Sequence, residues 1–328
     1  MVSEKEWKEL REKIDEDPTI LEKELGTSFK SGFVAIVGRP NVGKSTLLNM
    51  ILGTKVSITS NRPQTTRFKI LGIKNFHNAQ IIFIDTPGLH KPEHKLGEFI
   101  MEEATSGIDD ADILLFMIDA SKGFTSGDKK VYDLYIKKFQ EKGKPVFLIL
   151  NKIDLVSKDD ILELLDNISK EYKFDEYFPI SALKNDNIDS LLFTIIDYLP
   201  DNVKYYSDGE ITNVPLRLMI AEIIREKVLR KTYEEIPHSV AVRVVSMRPG
   251  EKNPEVFVID AEILVERDNQ KKILIGKNGR MIKEIGRLAR EELEVLLNQK
   301  VYLNLEVKVE KDWRNRDSVI KNLGYEVS

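Results

Sequence analysis

The feature that most constrains this chain is a short loop, "GRPNVGKST" (Gly38 to Thr46), set between the apolar run "FVAIV" and the helix-forming "LLNMIL". Gly38-x-x-x-x-Gly43-Lys44-Ser45 is the phosphate-cradling pattern, and a strand before it with a helix after it is the context that pattern requires. Gly43 lets the backbone approach a phosphate closely, and the loop's N–H groups and the helix N-terminus supply a positive cradle. Lys44 can reach the β and γ phosphates, and the Ser45 hydroxyl can ligate Mg²⁺. Gly38, Arg39, Pro40, Asn41, Val42, Gly43, Lys44, Ser45 and Thr46 are therefore candidate nucleotide contacts.

A loop of this kind needs a parallel sheet behind it, and the following sequence provides one. Short apolar runs ("FVAIV", "IIFID", "ILLFMID", "PVFLIL", "YFPIS") alternate with amphipathic stretches near residues 45–52, 96–107, 126–141, 158–172 and 186–199. Runs this short, apolar on both faces and separated by helices, predict a doubly wound, mostly parallel α/β sheet. The segment "PDNVKYYSDGEITNVP" then reads as a linker. Beyond it the pattern changes to α+β: a helix over Leu216–Lys231, strands "SVAVRVVSM" and "EVFVIDAEILVE", a helix pair around 270–298, and a final strand "VYLNLEVKVEKDW". The expected organisation is an extension over 1–28, a first domain over 29–202 and a second over 203–328.

Three further motifs stand at predicted strand ends. "DTPG" follows "IIFI": Asp85 can hold Mg²⁺ through water, and the Gly88 N–H can meet a γ-phosphate, with Thr86, Pro87 and Leu89 beside it. "NKID" follows "FLIL", placing Asn151, Lys152 and Asp154 where a carboxylate can accept guanine N1–H and the 2-amino hydrogen. Adenine offers neither, so Asp154 argues for GTP. Ser181, Ala182 and Leu183 follow another short strand, where a backbone N–H could meet guanine O6. Between the first two motifs, Thr65 and Thr66 lie where a γ-phosphate sensor must supply a hydroxyl to Mg²⁺. Thr66 is the favoured ligand, the alternative being a threonine-rich hairpin. Lys44, Thr66 and Gly88 form the expected catalytic set. Ras-like enzymes place a water-orienting glutamine where this chain has Leu89, so slow intrinsic hydrolysis is expected. Asn41 could compensate by helping to bind a monovalent cation such as K⁺ against the phosphates.

In the second domain, Gly276-Lys277-Asn278-Gly279 makes a tight turn whose backbone can lie against a sugar-phosphate chain, with Lys277, Arg280 and Lys283 meeting phosphates. Ile282, Ile285, Leu288, Ala289, Leu293 and Leu296 form an apolar stripe on the following helix, and Arg287 and Arg290 lie off it. Residues 271–290 hold seven basic residues against one acid. The alternative reading is a solvated lysine-rich helix with a glycine turn.

Composition adds mainly exclusions. The net charge of −4 resides in residues 1–27, with nine acids and five bases, leaving 45 of each elsewhere. That acidic segment reads as helical, with Trp7, Leu10 and Ile14 in register and a break near Asp17-Pro18. No window is apolar enough to span a membrane and no basic-apolar leader opens the chain, so a cytoplasmic protein is expected. The absence of cysteine rules out disulfides and thiolate metal sites. His90 and His94 bracket Pro92, which favours a loop over a zinc helix.

With "GRPNVGKST", "PQTTR", "DTPGLH", "NKID", "SAL" and a C-terminal "IGKNG", residues 29–328 resemble the bacterial Era GTPases, down to "WR" and "LGY" around Trp313, Arg314 and Leu323 to Tyr325. The resemblance implies a P-loop G domain followed by a type II KH domain, GTP and Mg²⁺ as ligands, and monomeric action. It also implies that the GTP form binds the 3′ end of 16S rRNA through Gly276, Lys277, Asn278, Gly279 and Arg280 in maturation of the 30S subunit. Peripheral association with the inner membrane is implied in the same way. Residues 1–27 have no counterpart in that family. Two other readings stay open: a module that loads GTP but barely turns it over, and a tRNA-modifying or double-G-domain relative, which the single P-loop and the absence of cysteine disfavour.

Overall fold

A computed structural model of the chain describes residues 29–60, 62, 65–89, 92–233 and 236–325. The helical segment expected over 1–27 lies outside these residues, as does His90.

The described residues divide into two compact units. The first comprises those up to Ser57, Lys69–Leu89 and Ala104–Asn213. It carries β1 (Lys30–Val37), α1 (Lys44–Leu52), β2 (Ile70–Asn75), β3 (Ala79–Asp85), β4 (Ile113–Asp119), β5 (Val146–Asn151) and β6 (Glu176–Ile180) in one sheet of order β2-β3-β1-β4-β5-β6. All neighbours are parallel except β2 with β3. Every residue of β3, β4 and β5 is buried, which explains why they read as unbroken apolar runs: helices cover both faces. β2 is a sixth strand absent from the expected set. It is an antiparallel edge with only half its residues buried, so it lacks the continuous apolar signature.

The register places the strand ends in line. Ile36 pairs with Asp85, Asp119 with Asn151, and Asn151 with Ile180. The loops leaving β1, β3, β4, β5 and β6 therefore emerge side by side at the carboxyl edge of the sheet, where α/β folds place ligands. The stretch expected to be a bare linker is hydrogen-bonded instead. Ile73 N donates to Ile211 O (2.8 Å), and the Tyr205 and Tyr206 amides donate to Gln80 Oε1 (2.9 and 3.0 Å). An edge strand leaves backbone groups unpaired, and this polar stretch satisfies some of them.

The second unit runs from Val214 onward and also includes Ile58–Phe68 and the residues before Ala104 in α2 (Lys95–Asp109). Its sequence order is α7 (Leu216–Lys231), β7 (Ala241–Pro249), β8 (Val256–Val265), α9 (Asp268–Ile275), α10 (Arg280–Leu297) and β9 (Lys300–Val309). The intervening helices of the chain are α3 (Ser126–Val131), α4 (Lys137–Glu141), α5 (Lys158–Glu171), α6 (Ile188–Tyr198) and α8 (Ile236–Ser239), and α11 (Asp317–Asn322) closes it. β7 pairs antiparallel and β9 parallel with the central β8. Ile220, Ile224, Ile259, Ile263, Ile285 and Leu293 are the centre of a core between that sheet and its helices. Ile58 joins the same core.

Candidate nucleotide site and nucleic-acid groove

In the first unit, β1 ends at Val37 and the loop turns into α1 through Gly43, whose φ of 111° is open to glycine and strained for other residues. A Cβ there would also lie 2.2 Å from Asn151 Nδ2, so close approach demands glycine independently. Lys44 is buried, and its ammonium donates to the carbonyls of Gly38 (3.0 Å) and Arg39 (3.1 Å). Burial pulls its pKa down to about 8, with partial compensation from Asp85. Arg39 Nε donates to Asp128 Oδ1 at 2.8 Å, tying the loop to α3. Gly88 lies against Pro40: a Cβ would sit 2.9 Å from Pro40 Cγ, so the DTPG backbone abuts the phosphate loop. Thr86 Oγ1 donates to Ile36 O (2.8 Å) and Leu89 is buried.

Asp85 is the group best suited to a cation. Its Oδ2 accepts from Ser45 Oγ (2.7 Å) and Ser57 Oγ (2.8 Å), whereas Oδ1 is buried without a hydrogen-bond partner. Burial pushes its carboxyl upward, against the pull of Lys44 and both serines. An orphaned carboxylate oxygen beside a serine hydroxyl fits Mg²⁺, which uses few protein oxygens and completes its shell with phosphates and water. Among the described residues no cluster of three or more acidic, histidine or cysteine side chains could hold a metal by itself. Ser57 was not an expected site residue; a lone serine five residues past a helix carries no signal. Thr66 is buried in the Ile58–Phe68 segment, which packs with the second unit.

The base-recognition motifs are stitched together by side-chain to backbone bonds. Asn151 donates through Nδ2 to Val42 O (2.8 Å) and accepts at Oδ1 from Ala182 N (3.0 Å). Asp154 is exposed and accepts from Ser181 Oγ at 2.6 Å, and Leu183, two residues after Ser181, is exposed as well. Lys152, at φ 69°, donates Nζ to Asn41 O (2.9 Å) and Asp119 Oδ2 (2.6 Å). Burial alone would raise the Asp119 carboxyl, but the hydrogen bonds from Lys152 and Ser121 outweigh it and hold it below the usual range. Asp119, at the end of β4, is a second residue that sequence reasoning missed, although its position at a strand terminus was the available signal. Thr46 is half-buried in the first turn of α1.

In the second unit, the turn Gly276–Gly279 has φ values of 70° at Gly276, 53° at Asn278 and 73° at Gly279, and Gly279 N donates to Gly276 O at 3.1 Å. Lys277, Asn278 and Arg280 are exposed around it. Behind it lies a groove of about 330 Å³ between α10 and β9, floored by Ile282, Leu303 and Leu305 and edged by Lys283, Arg287 and Arg290. Their spacing of four and three puts the three cations on one helix edge. Ile282, on the apolar stripe that packs against the core, also lines the groove, and Arg287 and Arg290 join Lys283 there. Gly286 keeps the floor open. Glu284 and Glu291 hold the Arg287 guanidinium through bonds of 3.1 and 2.7 Å.

A doubly wound sheet with phosphate, Mg²⁺ and guanine motifs at its carboxyl edge, followed by an α-β-β-α-α-β unit with a glycine turn, defines a GTPase carrying an RNA-binding module. Comparison with known proteins agrees: residues 33–152 match the family model described as a 50S ribosome-binding GTPase, and 235–314 match the KH domain. The chain is 48% identical over 302 residues to the GTPase Era of Aquifex aeolicus, covering 90% of this chain and 99% of that protein. It is 46% identical over 299 residues to GTPase Era of Staphylococcus haemolyticus, covering 91% and 98%. A crystal structure of Era with MgGDPNP and nucleotides 1506–1542 of 16S ribosomal RNA superposes with a TM-score of 0.88 at 48% identity, over 91% of this chain and all of that one. The chain belongs to the Era GTPase family. Among the described residues no helix is long and apolar enough to cross a membrane.

Proposed function

We propose that the chain binds and hydrolyses GTP and, in its GTP form, binds 16S rRNA near the 3′ end to promote 30S maturation. The G domain is assigned to 29–202 and the KH domain to 203–328. The observation that carries this reading is the basic-edged, apolar-floored groove behind the Gly276–Gly279 turn, in a chain whose guanine and phosphate motifs meet at one sheet edge. The groove packs unpaired bases against the apolar Ile282, Leu303 and Leu305, while Lys277, Arg280 and Lys283 follow the phosphates.

At the nucleotide, Lys44 meets the β and γ phosphates and Asp154 reads guanine. Asn151 and Lys152 position the phosphate loop through Val42 and Asn41. Ser45 and Thr66 are assigned as Mg²⁺ ligands with Asp85 behind water; the bound ion would neutralise charge on the phosphates. The Gly88 N–H faces the γ-phosphate. No side chain acts as general base, Leu89 cannot orient water, and backbone and switch groups position the attacking molecule, so intrinsic turnover is slow. Asn41 contributes to a K⁺ site. The protein acts as a cytoplasmic monomer on the assembling 30S subunit; peripheral contact with the membrane rests on the family alone.

The test is the affinity for a short RNA copying the 3′ end of 16S rRNA, with a non-hydrolysable GTP analogue and then GDP, at fixed salt. Tight binding should weaken in GDP and fall by about tenfold or more in Gly279→Asp, which adds negative charge on the phosphate path. A Cβ at Gly279 meets nothing within 4 Å, and aspartate tolerates the left-handed backbone, so the fold should survive. Binding in neither nucleotide state would refute the RNA assignment.

A further inference from the structure

Three cations edge the groove between α10 and β9, and their electrostatic surroundings differ. Lys283 and Arg290 pair with no carboxylate among the described residues, so their charges are open to phosphates. Arg287 is held on both sides. Its Nε and Nη2 donate to the two carboxylate oxygens of Glu284, both at 3.1 Å, and its Nη1 donates to Glu291 Oε1 at 2.7 Å. Glu284 Oε1 also accepts from Lys231 Nζ of α7 at 3.3 Å. The bonds from Arg287 and Lys231 hold the Glu284 carboxyl below the usual range. All four side chains belong to the second unit.

Two cations and two carboxylates make that set neutral, so a phosphate gains no net attraction beside Arg287 and meets two anions there. A guanidinium carries five N–H hydrogens in one fixed plane. Three are spent on Glu284 and Glu291, and the remaining two sit one on each Nη, at the edge of a groove that Arg287 lines. They are a pair of adjacent donors in a plane fixed by bonds on both sides. Gly286, the preceding residue, leaves the floor free of a side chain: a Cβ there would meet Leu305 Cδ1 at 3.4 Å. A planar ring can lie on that floor with its edge toward the guanidinium.

We propose that Arg287 is a specificity-determining residue of the groove: clamped by Glu284 and Glu291, it reads a base edge that offers two neighbouring acceptors, while Lys283 and Arg290 hold phosphates. The proposal rests on the reading of the groove as a site for unpaired RNA. Guanine offers O6 beside N7 and cytosine offers O2 beside N3, so either base accepts both N–H groups. On adenine, N1 and N7 each stand beside the amino group, and on uracil O2 and O4 flank the N3–H. The second donor then finds no acceptor. A site built to hydrogen-bond its ligand rejects one that leaves its polar groups unpaired.

The experiment measures the affinity of the full chain for short uracil RNAs, either unbroken or with a single central adenine, guanine or cytosine, over a series of salt concentrations. The parent is compared with Arg287→Lys, with Lys283→Gln and with the double variant Glu284→Gln, Glu291→Gln. The parent should prefer the guanine or the cytosine RNA over the other two by about tenfold, and which of the pair it prefers identifies the base. Arg287→Lys keeps the charge without the planar fork and should abolish that preference, with the salt dependence as steep as before. Lys283→Gln should instead weaken all four RNAs alike and flatten the log–log salt slope by about 0.7, the value of one phosphate contact on a single strand. The double variant frees the Arg287 charge and its direction together, so the preference should fall as the salt slope rises. A parent that binds all four equally or prefers adenine overturns the assignment. So does an Arg287→Lys variant that keeps the parental preference or loses all four RNAs in parallel. If none of the RNAs binds the parent, the groove reading itself fails and the assignment falls with it.

Discussion

Truncating Asn151 to alanine tests whether the nucleotide site is one mechanical unit. The side chain is 3% exposed and spans two loops, donating to Val42 O at 2.8 Å and accepting from Ala182 N at 3.0 Å. Both partners are themselves buried, at 1% exposure each. Asn151→Ala leaves a carbonyl and an N–H unpaired, each costing about 1–3 kcal/mol, and removal of both contacts should cost about 2–4 kcal/mol once the site relaxes. For a unit of this size that corresponds to a fall in melting temperature of about 4–16 °C for the nucleotide-free protein. The same bonds set the distance between the phosphate loop and the guanine motifs, so GDP affinity should fall about tenfold or more. Asn151→Asp keeps the acceptor for Ala182 but turns a carboxylate oxygen on the Val42 carbonyl, and should be at least as harmful. Thermal unfolding without nucleotide and titration with fluorescent GDP separate the two effects. An alanine variant melting within about 1 °C of the parent, with GDP affinity within about twofold, would refute the bridge.

Two further outcomes follow from the phosphate loop. Lys44, depressed to about 8 by burial, must be fully protonated against a phosphate. GDP binding measured without Mg²⁺ should therefore take up about half a proton at pH 8, nearly none at pH 7 and nearly one at pH 9. Calorimetry in buffers of different ionisation enthalpy reads this, and uptake that is flat from pH 7 to 9 rejects the depressed ammonium. Hydrolysis should be several-fold faster in K⁺ than in Na⁺ and lose that difference in Asn41→Ala; equal rates in the two salts count against the cation site.

Much of the first unit was legible because its determinants are local. The buried strands β3, β4 and β5 announce themselves as unbroken apolar runs, and the glycines and polar residues at their ends are fixed by the turns they make. The glycine turn at 276–279 is local in the same sense: positive φ at three of its four residues favours glycine, asparagine or aspartate. β2 was hidden because an edge strand buries only half its residues.

What the sequence by itself determined is the set of strand ends and the chemistry waiting there: Lys44 for phosphate, Asp85 for a cation, Asp154 for guanine, and cations around Gly276–Gly279. Only the tertiary structure decided how these parts are tied. The bonds from Asn151 to Val42, from Lys152 to Asp119 and from Ser57 to Asp85 join residues with no periodic relation, so no spacing rule could announce them. The same holds for Arg67 on Trp313 and for Leu303 and Leu305 of β9 meeting Ile282 at the groove floor. Periodicity specifies which face of an element is apolar, but the partner on that face is chosen by packing across the whole chain.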